Sequence, residues 1–109
     1  MNLKRTLALL TAAAVAAGLA ALPAAGAVKG VKLVDNKFRP SKVTVKRGTT
    51  VKFTWAGKNP HNVTAFSGPV LFHSGTKTTG TYRKRLTRKG TYQITCTVHS
   101  GMTLTIRVR

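Results

Sequence analysis

Thr91-Tyr92-Gln93-Ile94-Thr95-Cys96-Thr97-Val98-His99-Ser100-Gly101-Met102 is the stretch from which the rest of the chain can be read. Its first half alternates. Tyr92, Ile94 and Cys96 share one face of an extended strand, and Thr91, Gln93 and Thr95 share the other, because successive side chains on a strand point to opposite sides. Cys96 is therefore expected on the core-facing side, at the strand's end. The second half sets a thiol, an imidazole and a thioether at three-residue intervals on one short loop. Beyond it, Leu104, Ile106 and Val108 alternate with Thr103, Thr105 and Arg107, so the loop hangs between two core-anchored strands.

The same period of two runs through the chain from Val28 onward, with no apolar residues at helical spacing. Val43 and Val45, then Val51, Phe53 and Trp55, alternate with Lys42, Thr44, Lys46, Thr50, Lys52 and Thr54, which reads as a half-buried strand pair turned at Arg47-Gly48. Further strands are expected over residues 63–66, 70–72, 79–86, 91–96 and 102–108. Gly68-Pro69, Ser74-Gly75 and Lys89-Gly90 punctuate them. The fold class is all-β, a sandwich of two sheets, since many short strands with regular turns must bury their apolar faces against each other.

The chain has one cysteine, which can form no internal disulfide. Alone, such a thiol would read as a small buried hydrophobe. With His99 and Met102 on the same loop it reads as a metal ligand. A copper ion that cycles between its cuprous and cupric states favours soft sulfur in one and imidazole in the other, and a Cys/His/His set with a weak axial Met offers both. Pro60-His61-Asn62-Val63 supplies the second histidine. The expected ligands are His61, Cys96, His99 and Met102. His73, in Leu71-Phe72-His73-Ser74-Gly75, sits at a turn and is expected to be solvated.

These residues resemble the plastocyanin/azurin family of small blue copper proteins, the cupredoxins, over nearly all of the chain from Val31. Cys96, His99 and Met102 match the family's ligand loop in order and spacing, and the short loop is most similar to that of amicyanin. Asp35-Asn36-Lys37-Phe38-Arg39-Pro40, Gly48, Val51, Phe53 and Trp55, leading to His61-Asn62-Val63, follow the family's first half. The chain departs from the family at Ser100, where a proline is common, and at Leu104, where a glycine is. The resemblance implies a Greek-key sandwich of about seven or eight strands holding one copper ion. It also implies that Asn62 is tied to the hydroxyl of Thr97, and Asn62→Ala is expected to shift the potential more than the fold. The implied role is one-electron transfer through the partly exposed edge of His99, without bond chemistry. The alternative is a non-catalytic copper-binding or storage protein, or a cationic cell-surface-binding protein, on the same fold.

At the other end, Lys4 and Arg5 precede the apolar, alanine-rich residues 7–22, and Ala25-Gly26-Ala27 has the small-x-small pattern of a signal-peptidase site. Residues 1–27 are expected to be a cleaved signal peptide and 28–109 a single copper-binding domain. A retained anchor is the rival reading, but the apolar run falls short of the ~20 residues a spanning helix needs and Pro23 follows at once. The protein is thus expected in the periplasm or on an extracytoplasmic face.

Asp35 is the only acidic residue, against 19 Lys and Arg, for a formal net charge of +18. Removing residues 1–27 lowers this by the charges of Lys4 and Arg5. Paired-carboxylate, Ser-His-Asp and acidic metal-site chemistries have no material, so an enzyme is not expected. Three histidines are too few for a larger copper enzyme. Charge on this scale speaks of association: an acidic redox protein, or an anionic membrane or cell-wall surface. Basic residues gather early, at Lys37, Arg39, Lys42, Lys46, Arg47 and Lys52. They gather again at Arg83, Lys84, Arg85, Arg88 and Lys89, the expected partner-binding group. Few aromatics lie among exposed basic residues, so nucleic acid is not the expected partner. A monomer is expected.

Overall fold

A computed structural model describes residues 26–109, and the expected signal peptide lies almost wholly outside the described residues. The described chain forms nine strands and no helix. One sheet contains β1 (Val28–Val34), β2 (Lys37–Arg39), β4 (Thr49–Trp55) and β7 (Thr81–Leu86), in the order β2-β1-β4-β7. The other contains β3 (Lys42–Val45), β5 (Thr64–Ser67), β6 (Phe72–His73), β8 (Gly90–Thr95) and β9 (Thr103–Val108), in the order β3-β9-β8-β5-β6. β2 and β6 are the short pieces that raise the count above the seven or eight expected.

The core lies between the sheets and is built as the alternation predicts. Val31 and Leu33 of β1, Val51, Phe53 and Trp55 of β4, Tyr92 and Ile94 of β8, and Leu104, Ile106 and Val108 of β9 are all buried. Each such side chain contributes roughly 1.5–3 kcal/mol by leaving water. The intervening residues stay at the surface or only partly covered.

The expected strand pair at Arg47-Gly48 is corrected by the structure. β3 and β4 do not pair with each other. β3 runs parallel to β9 in one sheet, and β4 runs parallel to β1 and antiparallel to β7 in the other. The chain crosses from one sheet to the other between them, and the apolar alternation of both strands still points into the core. The corner between them takes Gly48 to φ 92°, a conformation open to glycine. It is held from both sheets: the Arg47 amide donates to the Arg109 carbonyl at 2.8 Å and the Gly48 amide to the Leu86 carbonyl at 2.7 Å.

These pairings give the sandwich two distinct ends. β8 runs from Gly90 toward Cys96 and β9 returns from Met102, so the expected ligand loop caps one end. The β7–β8 turn and the β3–β4 corner lie at the other, about 17 Å away along β8 at ~3.4 Å per residue.

Candidate metal centre

Cys96 leaves β8 on its inner face and is 1% exposed. The loop behind it closes tightly: the Cys96 amide donates to the Met102 carbonyl at 3.0 Å, the His99 amide to the Cys96 carbonyl at 3.4 Å, and the Met102 amide to the His99 carbonyl at 3.4 Å. Gly101, at φ 78°, makes the final turn. Met102 then enters the core, fully buried, as the residue before β9. His99 is only partly covered, beside the exposed Val98.

His61 arrives from the first sheet and is 0% exposed. Its backbone exchanges two hydrogen bonds of 3.0 Å with Lys77, and its carbonyl accepts the Trp55 indole N–H at 2.9 Å. The ring is thereby delivered to the loop. His61 Nδ1 lies 3.1 Å from His99 Nδ1 and 3.9 Å from Cys96 Sγ, and His99 Nδ1 lies 3.6 Å from the same sulfur. Among the described residues this is the one group of His, Cys and acidic side chains close enough together to hold a metal ion.

The fit to a metal can be judged from these distances. A circle through the two nitrogens and the sulfur has a radius of about 2.1 Å, close to metal–nitrogen bonds of ~2.0–2.1 Å and metal–thiolate bonds of ~2.3 Å. Two imidazoles and a thiol converge, a donor set that suits a copper site with a thioether as a weak further donor.

The surrounding contacts bind the two halves together. Asn62 Nδ2 donates to Thr97 Oγ1 at 2.7 Å, and the Thr97 amide donates back to Asn62 Oδ1 at 3.1 Å. Asn62 also donates to Thr76 Oγ1 at 3.0 Å and accepts from Thr64 Oγ1 at 2.9 Å, while its amide points at Cys96 Sγ from 3.4 Å. Four residues are thus held by one buried asparagine, so its structural part is larger than the sequence suggests. Thr76 carries no signal in the sequence, because it reaches the site only through the β6–β7 connection.

A second missed residue is Asp35, in the β1–β2 turn. Its Oδ1 accepts the amides of Lys58 at 2.9 Å and Asn59 at 3.0 Å and lies 3.4 Å from His61 Nε2. The Asn59 amide, then the Lys58 amide and His61, hold its carboxyl below the ordinary value of 3.8, against a smaller opposing effect of desolvation. Its signal in the sequence is its solitude among 19 Lys and Arg.

His73 is exposed and outside the cluster. The basic run does not form one patch. Arg83 and Arg85 point outward from the first sheet, with Lys52 beside Arg83. Lys84 lies on the opposite side of β7, its ammonium 5.5 Å from the centre of the Phe72 ring. Arg88 and Lys89 fall in the β7–β8 turn, at the end of the sandwich away from Cys96. Lys46 and Arg47 share that end, and Lys89, Arg107 and Arg109 line a shallow groove of about 390 Å³ there.

The profile of the copper binding proteins of the plastocyanin/azurin family matches residues 26–109. Among curated proteins none matches. Of solved structures, an oxidised amicyanin variant is 28% identical over 82% of this chain and 88% of its own, with a TM-score of 0.65. Pseudoazurin from Hyphomicrobium denitrificans is 26% identical over 75% of each chain, also at 0.65. The copper-containing nitrite reductase of Thermus scotoductus is 26% identical over 74% of this chain, with a TM-score of 0.66, but this chain spans only 22% of its length.

Proposed function

Because the chain belongs to the plastocyanin/azurin family of copper binding proteins, we propose that it is an exported carrier of single electrons. His61 and His99, whose Nδ1 atoms face each other, the Cys96 thiolate and Met102 would hold the copper ion. The observation that carries this reading is the convergence of Nδ1, Nδ1 and Sγ on a circle of about 2.1 Å radius, the length of a metal bond. When bound, copper supplies a Cu(II)/Cu(I) couple. The chain supplies the rest. The loop bonds and the Asn62–Thr97 pair fix the donors, the buried faces of Met102 and His61 exclude water, and half-covered His99 offers an imidazole edge to a partner. A frame of this kind limits rearrangement between oxidation states.

The test is an absorption spectrum and a voltammogram of the copper-loaded protein. The expected result is an intense visible thiolate-to-copper band, lost in Cys96→Ala with the β-sheet circular dichroism retained, and a reversible one-electron potential. A strong band that survives Cys96→Ala would remove the thiolate assignment, and copper binding without a reversible potential would favour storage.

The distribution of charge favours one elaboration. Lys46, Arg47, Arg88, Lys89, Arg107 and Arg109 gather at the end opposite the ligand loop. Charge there serves attachment to an anionic membrane or cell-wall surface better than steering of an acidic partner toward His99. Steering falls instead to Lys37, Lys58 and Lys77, which sit near Asp35 and His61. The protein would be held by one end and exchange electrons at the other.

A further inference from the structure

We propose that Asp35 is the positioning residue of the metal centre: it fixes the proton of His61 on Nε2, leaves Nδ1 free to ligate, and sets the one negative side-chain charge beside the site. The inference rests on the copper reading above and adds to it a residue outside the ligand set.

The geometry begins with burial. His61 is 0% exposed and its Nδ1 faces Cys96 and His99, so Nε2 needs a partner on the protein, and it meets a side chain that is itself 41% exposed. The partner is Asp35 Oδ1, at 3.4 Å. An imidazole that donates from Nε2 carries its lone pair on Nδ1, and a carboxylate in this position orients the ring and raises its basicity. Without an acceptor, a buried N–H is left unpaired.

The carboxylate is itself built in place. The amides of Ala56 and Gly57 donate to the Leu33 carbonyl at 2.8 and 3.1 Å, folding residues 56–59 over the end of β1. Gly57 allows the approach, since a Cβ there would collide with Asp35 Oδ1 and stand 2.8 Å from the Asp35 amide. The Lys58 and Asn59 amides then grip the same oxygen that faces His61. Asn36, at φ 66°, turns the chain immediately after. Among the described residues Asp35 forms no ion pair with Lys or Arg, its one salt-bridge contact being His61. Its charge is therefore not tied up in a direct ion pair with Lys or Arg, and it stabilises the more positive oxidised state in a domain whose other charges oppose that state.

Two substitutions separate charge from hydrogen bonding. Asp35→Asn keeps an acceptor oxygen and removes the charge; Asp35→Ala removes both. Nitrogen-15 NMR of the metal-free protein near pH 8 reads the tautomer directly. Wild type and Asp35→Asn are expected to hold the His61 proton on Nε2, and Asp35→Ala to show a mixture. In the copper-loaded proteins both variants are expected to keep the visible band and to move to higher potential, and Asp35→Ala to lose copper to a competing chelator about 10–100-fold more readily. Unchanged tautomer and potential in both variants, with only a lower melting temperature, would make Asp35 a loop staple and overturn the proposal. A colourless wild type would instead overturn the copper reading, while the metal-free tautomer would still decide whether Asp35 positions His61.

Discussion

At the scale of single residues, the centre depends on side chains that serve two loops at once. Asn62 is 4% exposed and joins Thr64, Thr76 and Thr97. Asn62→Ala is expected to cost roughly 2–3 kcal/mol, several hydrogen bonds at ~1 kcal/mol each, and also to shift the potential by loosening the Cys96 loop. Thr97→Val tests the share of one bond: it keeps the amide contact to Asn62 Oδ1 and loses the hydroxyl. Chemical denaturation and voltammetry of the two variants check this. A potential that moves in neither would confine Asn62 to the fold. Asp35 also gives a pH dependence with a definite sign. Its folded value lies below 3.8, so its contribution to stability is present above that value and is lost as the pH falls through the lowered one.

At the scale of elements, the corner between β3 and β4 shows how the sandwich is closed. Its residues bond to the ends of β7 and β9, so they register the two sheets against each other rather than turn a hairpin. Gly48→Ala places a Cβ at φ 92°, a region that costs an L-residue about 1–2 kcal/mol. The melting temperature is expected to fall by roughly 5–15 °C in a domain of this size, with the visible spectrum unchanged because the corner is at the far end from Cys96. A change in the spectrum would show that strain at this corner reaches the ligand loop along β9.

At the scale of the whole molecule, one cluster of basic residues lies at the end away from the candidate metal centre and others lie along the first sheet and beside Asp35. Arg83, Lys84 and Arg85 were expected to act together on a partner's approach, but alternation along β7 sends Lys84 toward Phe72 and the two arginines outward. The informative variants are therefore end-specific. Reversing Arg88, Lys89 and Arg107 to Glu is expected to abolish retention on anionic vesicles or wall polymer while the rate with an acidic redox protein stays near that of wild type. Reversing Lys37 and Lys58 is expected to slow that rate and flatten its salt dependence, over a screening length of about 8 Å at ~0.15 M salt. Sedimentation and stopped-flow measurements across ionic strength check both. Equal effects from the two ends would mean that net charge alone governs association.

From the amino-acid order alone follow the all-β class, the inner and outer residues of most strands and the candidate donors His61, Cys96, His99 and Met102, while the Asn62–Thr97 pair is what the family resemblance implies. The class, the facing and the donors depend on a period of two and on rare donor types, which are local and survive without knowledge of neighbours. What the tertiary structure decided is adjacency. A strand pattern states which side faces the core but not which strand lies alongside, so the separation of β3 from β4 and the parallel pairings β1–β4 and β3–β9 emerge only when both sheets are closed together. The same holds for Asp35, 26 positions from His61. No local pattern links the two, and they meet because β1 ends beside the loop that follows β4, where a glycine leaves room for the chain to fold over the carboxylate.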